Sequence, residues 1–548
     1  MILLNQGGNI VNDKLFYNCN LRKSYNNWEK DAAFLVKDGR IVATGDKSSL
    51  LATWGDLPKI NLNGKTVTAG FNDSHLHLYQ LGKDIQALDL SDIKTLNELQ
   101  AKLSNWAETT DDNFLRAIRL HDQNLPGGKL PDRDILDSLV ADRPLVITRA
   151  CYHAVSLNSK ALQLAGINKE TEAPESGRIG RFKDGRPNGR LYDSAIKLFE
   201  NSLPEPEPES IADTIASAGE KLIAEGITSI GTDDLTAVNR PDLMLAAYNM
   251  LIKSENNSPR LWLQQRVNSV KEIRWLQENS CQTKNGDFWV LHGPLKIMLD
   301  GSLGAKTAAL SRPYSGSNSN YGDLLLSEDK LITLLNTAAR HNFTAAIHVI
   351  GDRALDTALN AMERASENGF KINESLLIHC QITREEQLAR LGKLKMNLAI
   401  QPAFVATDWS FVEDYIEKEL VRNSYAWKSL INSGACLAGS SDAPIEPTNP
   451  LWGIQTAITR QDKEAKPAAG WRPAEKLELD RAWDLFTRAG AVLSGESHYK
   501  GNLKPGQLAD FVVLSENPCN IPAEKISNLE IEATYQHGVK VYSASSSI

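Results

Sequence analysis

No stretch of this chain stays apolar for the ~18–20 residues that a membrane-spanning helix needs, so a bilayer is not an expected environment. The opening, MILLNQGGNIVNDKLF, has no basic residues ahead of its apolar ones and no long apolar core, so it does not read as a secretory leader. Basic residues are not in excess: 60 Lys and Arg stand against 68 Asp and Glu, a net charge of -8. Nucleic acid and anionic membrane surfaces both want a basic face, so neither is an expected partner. Cysteine is scarce, with six in 548 residues (Cys19, Cys151, Cys281, Cys380, Cys436 and Cys519) and no pairing spacings. Reduced thiols in a cytoplasmic protein are the expected state. Cys380, beside His379, reads as a small buried filler on the opposite face of a strand. What is present, 42% hydrophobic and 23% charged residues, is the profile of a globular enzyme. The length implies a large domain of ~250 residues or more with additions.

One stretch organises the rest. Val67, Ala69 and Phe71 alternate with smaller or polar residues, as in a short buried strand, TVTAGF (66–71). That strand is expected to stop at Asn72-Asp73-Ser74, with His75 and His77 following. Two residues apart on extended backbone, their side chains point the same way, and two converging imidazoles are half of a metal site. Seven more strand candidates follow: 226–232, 260–267, 295–301, 344–351, 376–382, 396–404 and 436–444. Helical periodicity lies between several of them. Ser210, Ser327 and the Thr383/Glu386 capping box mark expected helix starts, and Gly226 and Gly369 mark ends. Alternating strands and helices with short connections mean parallel strands. Eight of them predict an α/β fold, a (β/α)₈ TIM-like barrel, whose chemistry sits at the C-terminal strand ends. Lys296, His348, His379 and Asp442 all fall near such ends.

Both chain ends are β-rich and turn-rich, with Asp38-Gly39 as a hairpin signal and His537-Gly538 as a turn. They predict one composite β-sandwich from residues 1–65 and 500–548. The barrel is assigned to 66–79 and 210–499. Residues 80–209 interrupt it after strand 1 and read as an inserted, substrate-shaping subdomain, with SLPEPEPES as its exit linker.

Singly, the polar residues have plain explanations: two histidines at a surface or in a core, or Lys296 in a salt bridge to Asp300 or Asp233. Together they offer a hydrolytic metal site. His75, His77, His348 and His379 supply nitrogens, and Asp442 supplies a carboxylate that can touch a metal and accept a water's proton. A lysine in the apolar run LKIML is costly unless neutralised or paired. Its sharper reading is carbamylation by carbon dioxide, which makes it a bridging carboxylate between two metals.

The chain resembles the metal-dependent amidohydrolase superfamily, and in particular amidohydrolase family 3, the YtcJ-like branch that includes N-substituted formamide deformylases. The resemblance is carried by GFNDSHLHL, QNLPGGKLPDRDILD, RPLVITRACYHAVSLNSKAL, LKIMLDGSLGAKTAAL, AAIHVIGDRA, LLIHCQ, AGSSDAP and LKPGQLADFVVL. It implies a barrel with a composite sandwich, one or two divalent ions, usually zinc, and hydrolysis at carbon–nitrogen bonds. It maps the metal ligands onto His75, His77, Lys296, His348, His379 and Asp442. It makes Asp442 the general base and Lys296 the carbamylated bridge. Two departures lie in the insertion and bear on substrate shape: Leu120-His121-Asp122 where the family tends to have Gly-Trp-Asp, and Tyr192-Asp193 where it often has Glu. Asp122, His153 and Asn158 are the candidate substrate-side residues, and Trp289, Phe404 and Trp409 are candidate pocket aromatics. The expected partner is a small-molecule substrate, and a homodimer is the candidate assembly. The expected reaction is hydrolysis of an N-formyl or N-acyl type bond. Heterocycle deamination is the alternative, though its enzymes generally lack the bridging lysine. A catalytically silent scaffold is a further alternative, though such proteins usually lose ligands and this chain has lost none.

Overall fold

The computed structural model describes residues 13–150, 152–175, 177–253, 258–279 and 290–544. Cys151, Cys281 and Trp289 lie outside them. The described chain forms two compact units, residues 1–79 with 215–548, and residues 80–214.

The first unit holds eight parallel strands in sequence order: β1 (Phe71–Leu76), β2 (Ile227–Thr232), β3 (Arg260–Arg266), β4 (Val290–Met298), β5 (Ala345–Val349), β6 (Leu376–His379), β7 (Asn397–Ile400) and β8 (Cys436–Gly439). Their apolar runs are buried on both faces, as strands covered by crossover helices must be. The sheet nearly closes into a barrel. At the seam between β8 and β1, the Asp442 amide donates to the His75 carbonyl (2.9 Å) and the His77 amide donates to the Ala443 carbonyl (2.8 Å). The Ser441 amide reaches both oxygens of Asp73 at 3.1 Å.

Strand 1 differs from its expected position. Thr66–Ala69 leaves the barrel and joins the terminal sheet, parallel to Lys14–Ser24 and antiparallel to Phe511–Leu514. The barrel strand starts at Phe71 and runs through Asn72-Asp73-Ser74 to Leu76. The break is at Gly70, where a Cβ would come within 2.2 Å of the Thr228 hydroxyl. The polar triplet can continue the strand because its groups are satisfied inside: Asp73 also accepts from the His75 amide. Two helix starts differ as well. Ser210 lies inside Pro208–Ala224, with Pro208 at the first position, where its missing N–H costs nothing. The Thr383 hydroxyl donates to the Asn423 carbonyl, so the helix begins at Glu385 instead. Ser327 caps Glu328–Arg340 as expected.

The terminal sheet has eight strands drawn from both chain ends, in the order Val539–Ser543, Ile531–Gln536, Phe511–Leu514, Thr66–Ala69, Lys14–Ser24, Asn27–Lys37 and Arg40–Asp46, with Lys59–Asn61 beside Lys14–Ser24. It packs on itself: Phe16 stacks on Phe34 at 4.9 Å, Phe511 on Tyr535 at 4.4 Å, and the two pairs meet edge-on. Asp38 and Gly39 both take positive φ, 48° and 73°, in the two-residue turn between Lys37 and Arg40.

The second unit is built on a six-stranded mixed sheet with its own core, including Leu99, Leu115, Leu145 and Ile147. Its strands are short, two to seven residues, and their apolar signal is lost among the turns that separate them. No helix among the described residues is long and apolar enough to cross a membrane.

Candidate metal centre

The C-terminal ends of β1, β4, β5 and β6 and the turn after β8 bring six of the sequence-predicted residues together. His75 Nε2 and His77 Nε2 lie 3.4 and 3.2 Å from Asp442 Oδ1. One ligand atom from each of these three residues falls within 4.8 Å of the others. Lys296 Nζ is 3.1 Å from His75 Nε2 and 3.6 Å from Asp233 Oδ2. The His379 ring lies 4.5 Å from the His348 ring and 5.9 Å from the His75 ring, centroid to centroid.

A second layer fixes which nitrogen each ring presents. His75 Nδ1 faces Gln264 Oε1 at 2.6 Å, and His379 Nδ1 faces Gln401 Oε1 at 2.8 Å. An amide oxygen only accepts, so both Nδ1 atoms carry the hydrogen and both Nε2 atoms keep a lone pair. Each glutamine is held in turn, Gln264 Nε2 by the Ser74 carbonyl (2.9 Å) and Gln401 Nε2 by the Ser440 hydroxyl (2.9 Å). His77 differs: its Nδ1 faces the Asp233 carbonyl at 3.0 Å and its Nε2 faces Asp442, and although burial alone would lower its pKa, that carboxylate raises it. His348 is reversed. Its Nε2 faces the Gly301 carbonyl at 3.2 Å, which leaves the lone pair on Nδ1.

Electrostatics follow burial. Burial keeps His75 and His379 neutral, well below the ordinary imidazole range, with help from the Lys296 charge. Burial and Lys296 lower His348 to about 3. Burial alone would raise Asp442, but the hydrogen bond from His77 and the charge of Lys296 hold it below the usual carboxylate range. Burial lowers Lys296 to about 8 against the opposing pull of Asp233. Of the two plain partners for Lys296, Asp233 is the one in reach. Asp233 is also bonded by Arg266 Nε at 3.1 Å. Asp300 accepts instead from the amides of Ala309, Ile350 and Gly351 at 2.8–3.0 Å. Three residues here take positive φ, His379 (79°), Cys380 (48°) and Asp442 (57°), an uncommon backbone for such residues and one that clusters at functional sites.

The substrate-side candidates lie in the second unit. Asp122 is buried and accepts from Arg149 Nε at 2.8 Å. His153 is exposed, with Nδ1 3.2 Å from Asp193 Oδ1. Asn158 is the correction. Its amide donates to the Val140 and Arg143 carbonyls and its oxygen accepts from the Leu145 and Ala161 amides, so a fully buried side chain has no valence left for a substrate. Gln264, Gln401 and Arg266 went unread, and Asp73 was read only as part of a strand stop. The usable signal for the first three was their occurrence inside or at the end of apolar runs, as for Lys296 in LKIML.

A family model described as the amidohydrolase family matches residues 59–542. The chain is 32% identical to YtcJ of Bacillus subtilis (strain 168) over 94% of its own length and 97% of that protein. It is 25% identical to an N-substituted formamide deformylase of Arthrobacter pascens over 97% of its length and 98% of that enzyme. Among solved structures it is similar to an uncharacterized metal-dependent hydrolase from Pyrococcus furiosus, with a TM-score of 0.77 and 25% identity over 92% of this chain and 99% of that one.

Proposed function

The chain belongs to the amidohydrolase family, and from that premise we propose that it hydrolyses a non-peptide carbon–nitrogen bond of N-formyl or N-acyl type in a small molecule, with zinc as its metal. The observation that carries this reading is the convergence of His75, His77 and Asp442 at the C-terminal face of the barrel. The likeness to a formamide deformylase along nearly the whole chain supports the N-formyl side of the class.

The donor set fits a divalent ion. Three buried neutral imidazoles, His75, His348 and His379, present defined lone pairs, and His77 and one ionised carboxylate join them, a nitrogen-rich set that suits zinc. His75, His77, His348, His379 and Asp442 would hold it, with Lys296 as a carbamate. When bound, the ion polarises the substrate carbonyl and the attacking water. Asp442 takes the water's proton and delivers it to the leaving nitrogen, a role open to a carboxyl that stays ionised at neutral pH. Lys296 reaches its carbamate when the neutral amine adds to the carbon of carbon dioxide, forming an N–C bond and releasing a proton. Its burial, 3.1 Å from His75 Nε2, supports that role, since an ammonium there would repel a cation.

Elemental analysis of protein purified without added metal tests the centre. A screen of N-formyl, N-acyl and carbamoyl compounds for amine release then tests the bond. We expect stoichiometric zinc and turnover of N-formyl or N-acyl amines. A metal content near zero, with no activity gained on adding zinc, cobalt or manganese, would sink the proposal.

A further inference from the structure

A second polar cluster lies on the C-terminal side of β6 to β8. Gln381 follows His379 by two residues, and Glu446 follows Asp442 by four. Asp408 sits one helical turn after Phe404, whose ring lies 6.2 Å from the His379 ring and nearly parallel to it. The cluster is therefore tied to the proposed centre through three short stretches of chain.

Its hydrogen bonds do not balance. Asp408 Oδ2 accepts from Tyr425 Oη and from Gln381 Nε2 (3.4 Å). The Thr407 hydroxyl lies 2.7 Å from Glu446 Oε1 and 3.4 Å from Asp408 Oδ1, and its single hydrogen serves one of them. Gln381 Oε1 is buried and has no partner, on a residue that is 2% exposed. It shares a carbon with the Nε2 that bonds Asp408, which places it beside that carboxylate. Buried acceptors outnumber donors, and a buried acceptor left without a donor is destabilising. Lys463 is the cation felt by Glu446, but it lies over the Trp452 ring at 5.9 Å and pairs with neither carboxylate. The exposed Thr407 leaves the cluster open to solvent on one side. Burial, with no cation close by, agrees with this count by raising Asp408 to about 6 and Glu446 to about 7.

We infer that Gln381, Asp408 and Glu446 form a subsite for a primary ammonium group carried by the substrate. An ammonium brings three donors and a positive charge to a place rich in acceptors and negative charge. The inference deepens the proposed hydrolytic reading and rests on it for the identity of the ligand as substrate.

N-Formyl-1,4-diaminobutane and N-pentylformamide differ only in an ammonium in place of a methyl. Their affinities for the metal-loaded protein are to be measured by calorimetry at pH 8, where both carboxylates are ionised, and amine release is to be followed separately. The ammonium compound should bind at least about tenfold more tightly. The Asp408→Asn/Glu446→Gln double variant should bring the ratio near one with metal content unchanged. Equal affinities, binding of neither compound, or a preference that survives the double variant would overturn the subsite. If the variant does not fold, the wild-type ratio alone decides. Absence of turnover bears on the hydrolytic reading, whereas the affinity ratio bears on the subsite, so the two fail separately.

Discussion

The barrel buries charge at both of its ends, and the two ends treat it in opposite ways. At the N-terminal end, Arg260 Nε meets Asp510 Oδ2 at 2.7 Å with both side chains almost fully buried. Lys500 pairs with Glu496 and donates to the Ser229 hydroxyl at 3.0 Å. Each cation there has its carboxylate. At the C-terminal end, four imidazoles and a lysine crowd around Asp442 and Asp233, and the second layer aims nitrogen lone pairs inward instead of pairing them. A closed ion pair holds a fold together. A convergent set of donors is a place for a ligand. Burial alone does not tell the two apart; the direction of the hydrogen bonds does.

The largest break should come from Asp442→Asn. The amide keeps the turn but cannot take a proton, so turnover should fall by about 10³-fold or more with an unchanged circular dichroism spectrum. Near-wild-type turnover would remove Asp442 from the base role. Lys296→Ala should come next, losing metal and activity together. Partial recovery of both on adding bicarbonate or a short carboxylic acid would sharpen the carbamate reading. Full metal occupancy in that variant would refute it.

At the other end, Asp510→Asn should cost about 3–5 kcal/mol of stability by leaving Arg260 without its carboxylate, read as a lower denaturant midpoint at unchanged metal content. The pH dependence has a definite sign. Burial would raise Asp510, but Arg260 holds its folded pKa below the ordinary ~3.9. Its contribution is therefore present above about pH 4 and is lost as pH falls through the folded value. The variant should lack this acid-side loss. The smallest effects should come from Asp122→Asn and His153→Ala in the second unit, which should shift substrate preference by several-fold and leave metal content alone. An emptied centre in either would break the division between the units.

Much of the barrel was legible because buried parallel strands are written as continuous apolar runs, and the chemistry lies where those runs end. His75 and His77 stood out because a two-residue spacing on extended backbone is itself a geometric statement. What stayed hidden depends on neighbours across strands. Gln264 and Gln401 acquire meaning only when another strand places a histidine nitrogen against them. Asp73 was read as a stop because its satisfaction comes from Ser441, across the seam between the first and last barrel strands. Asn158 was misread for a similar reason: beyond its helix-capping bond from Ala161, its partners at Val140, Arg143 and Leu145 come from segments that no local pattern joins to it.

The terminal sheet carries a consequence for synthesis. Thr66–Ala69 finds its antiparallel neighbour in Phe511–Leu514, and the aromatic rings of Phe16 and Phe34 meet those of Phe511 and Tyr535. At about 5–20 residues per second, the ribosome takes roughly twenty to ninety seconds to supply that second half. Throughout that interval the first strands present an open hydrogen-bonding edge and an uncovered apolar face, the features that invite pairing with another chain. The stretch from Phe511 is thus the one that ends the nascent chain's exposure, and truncation before Phe511 should yield an aggregating product even though every barrel strand is complete.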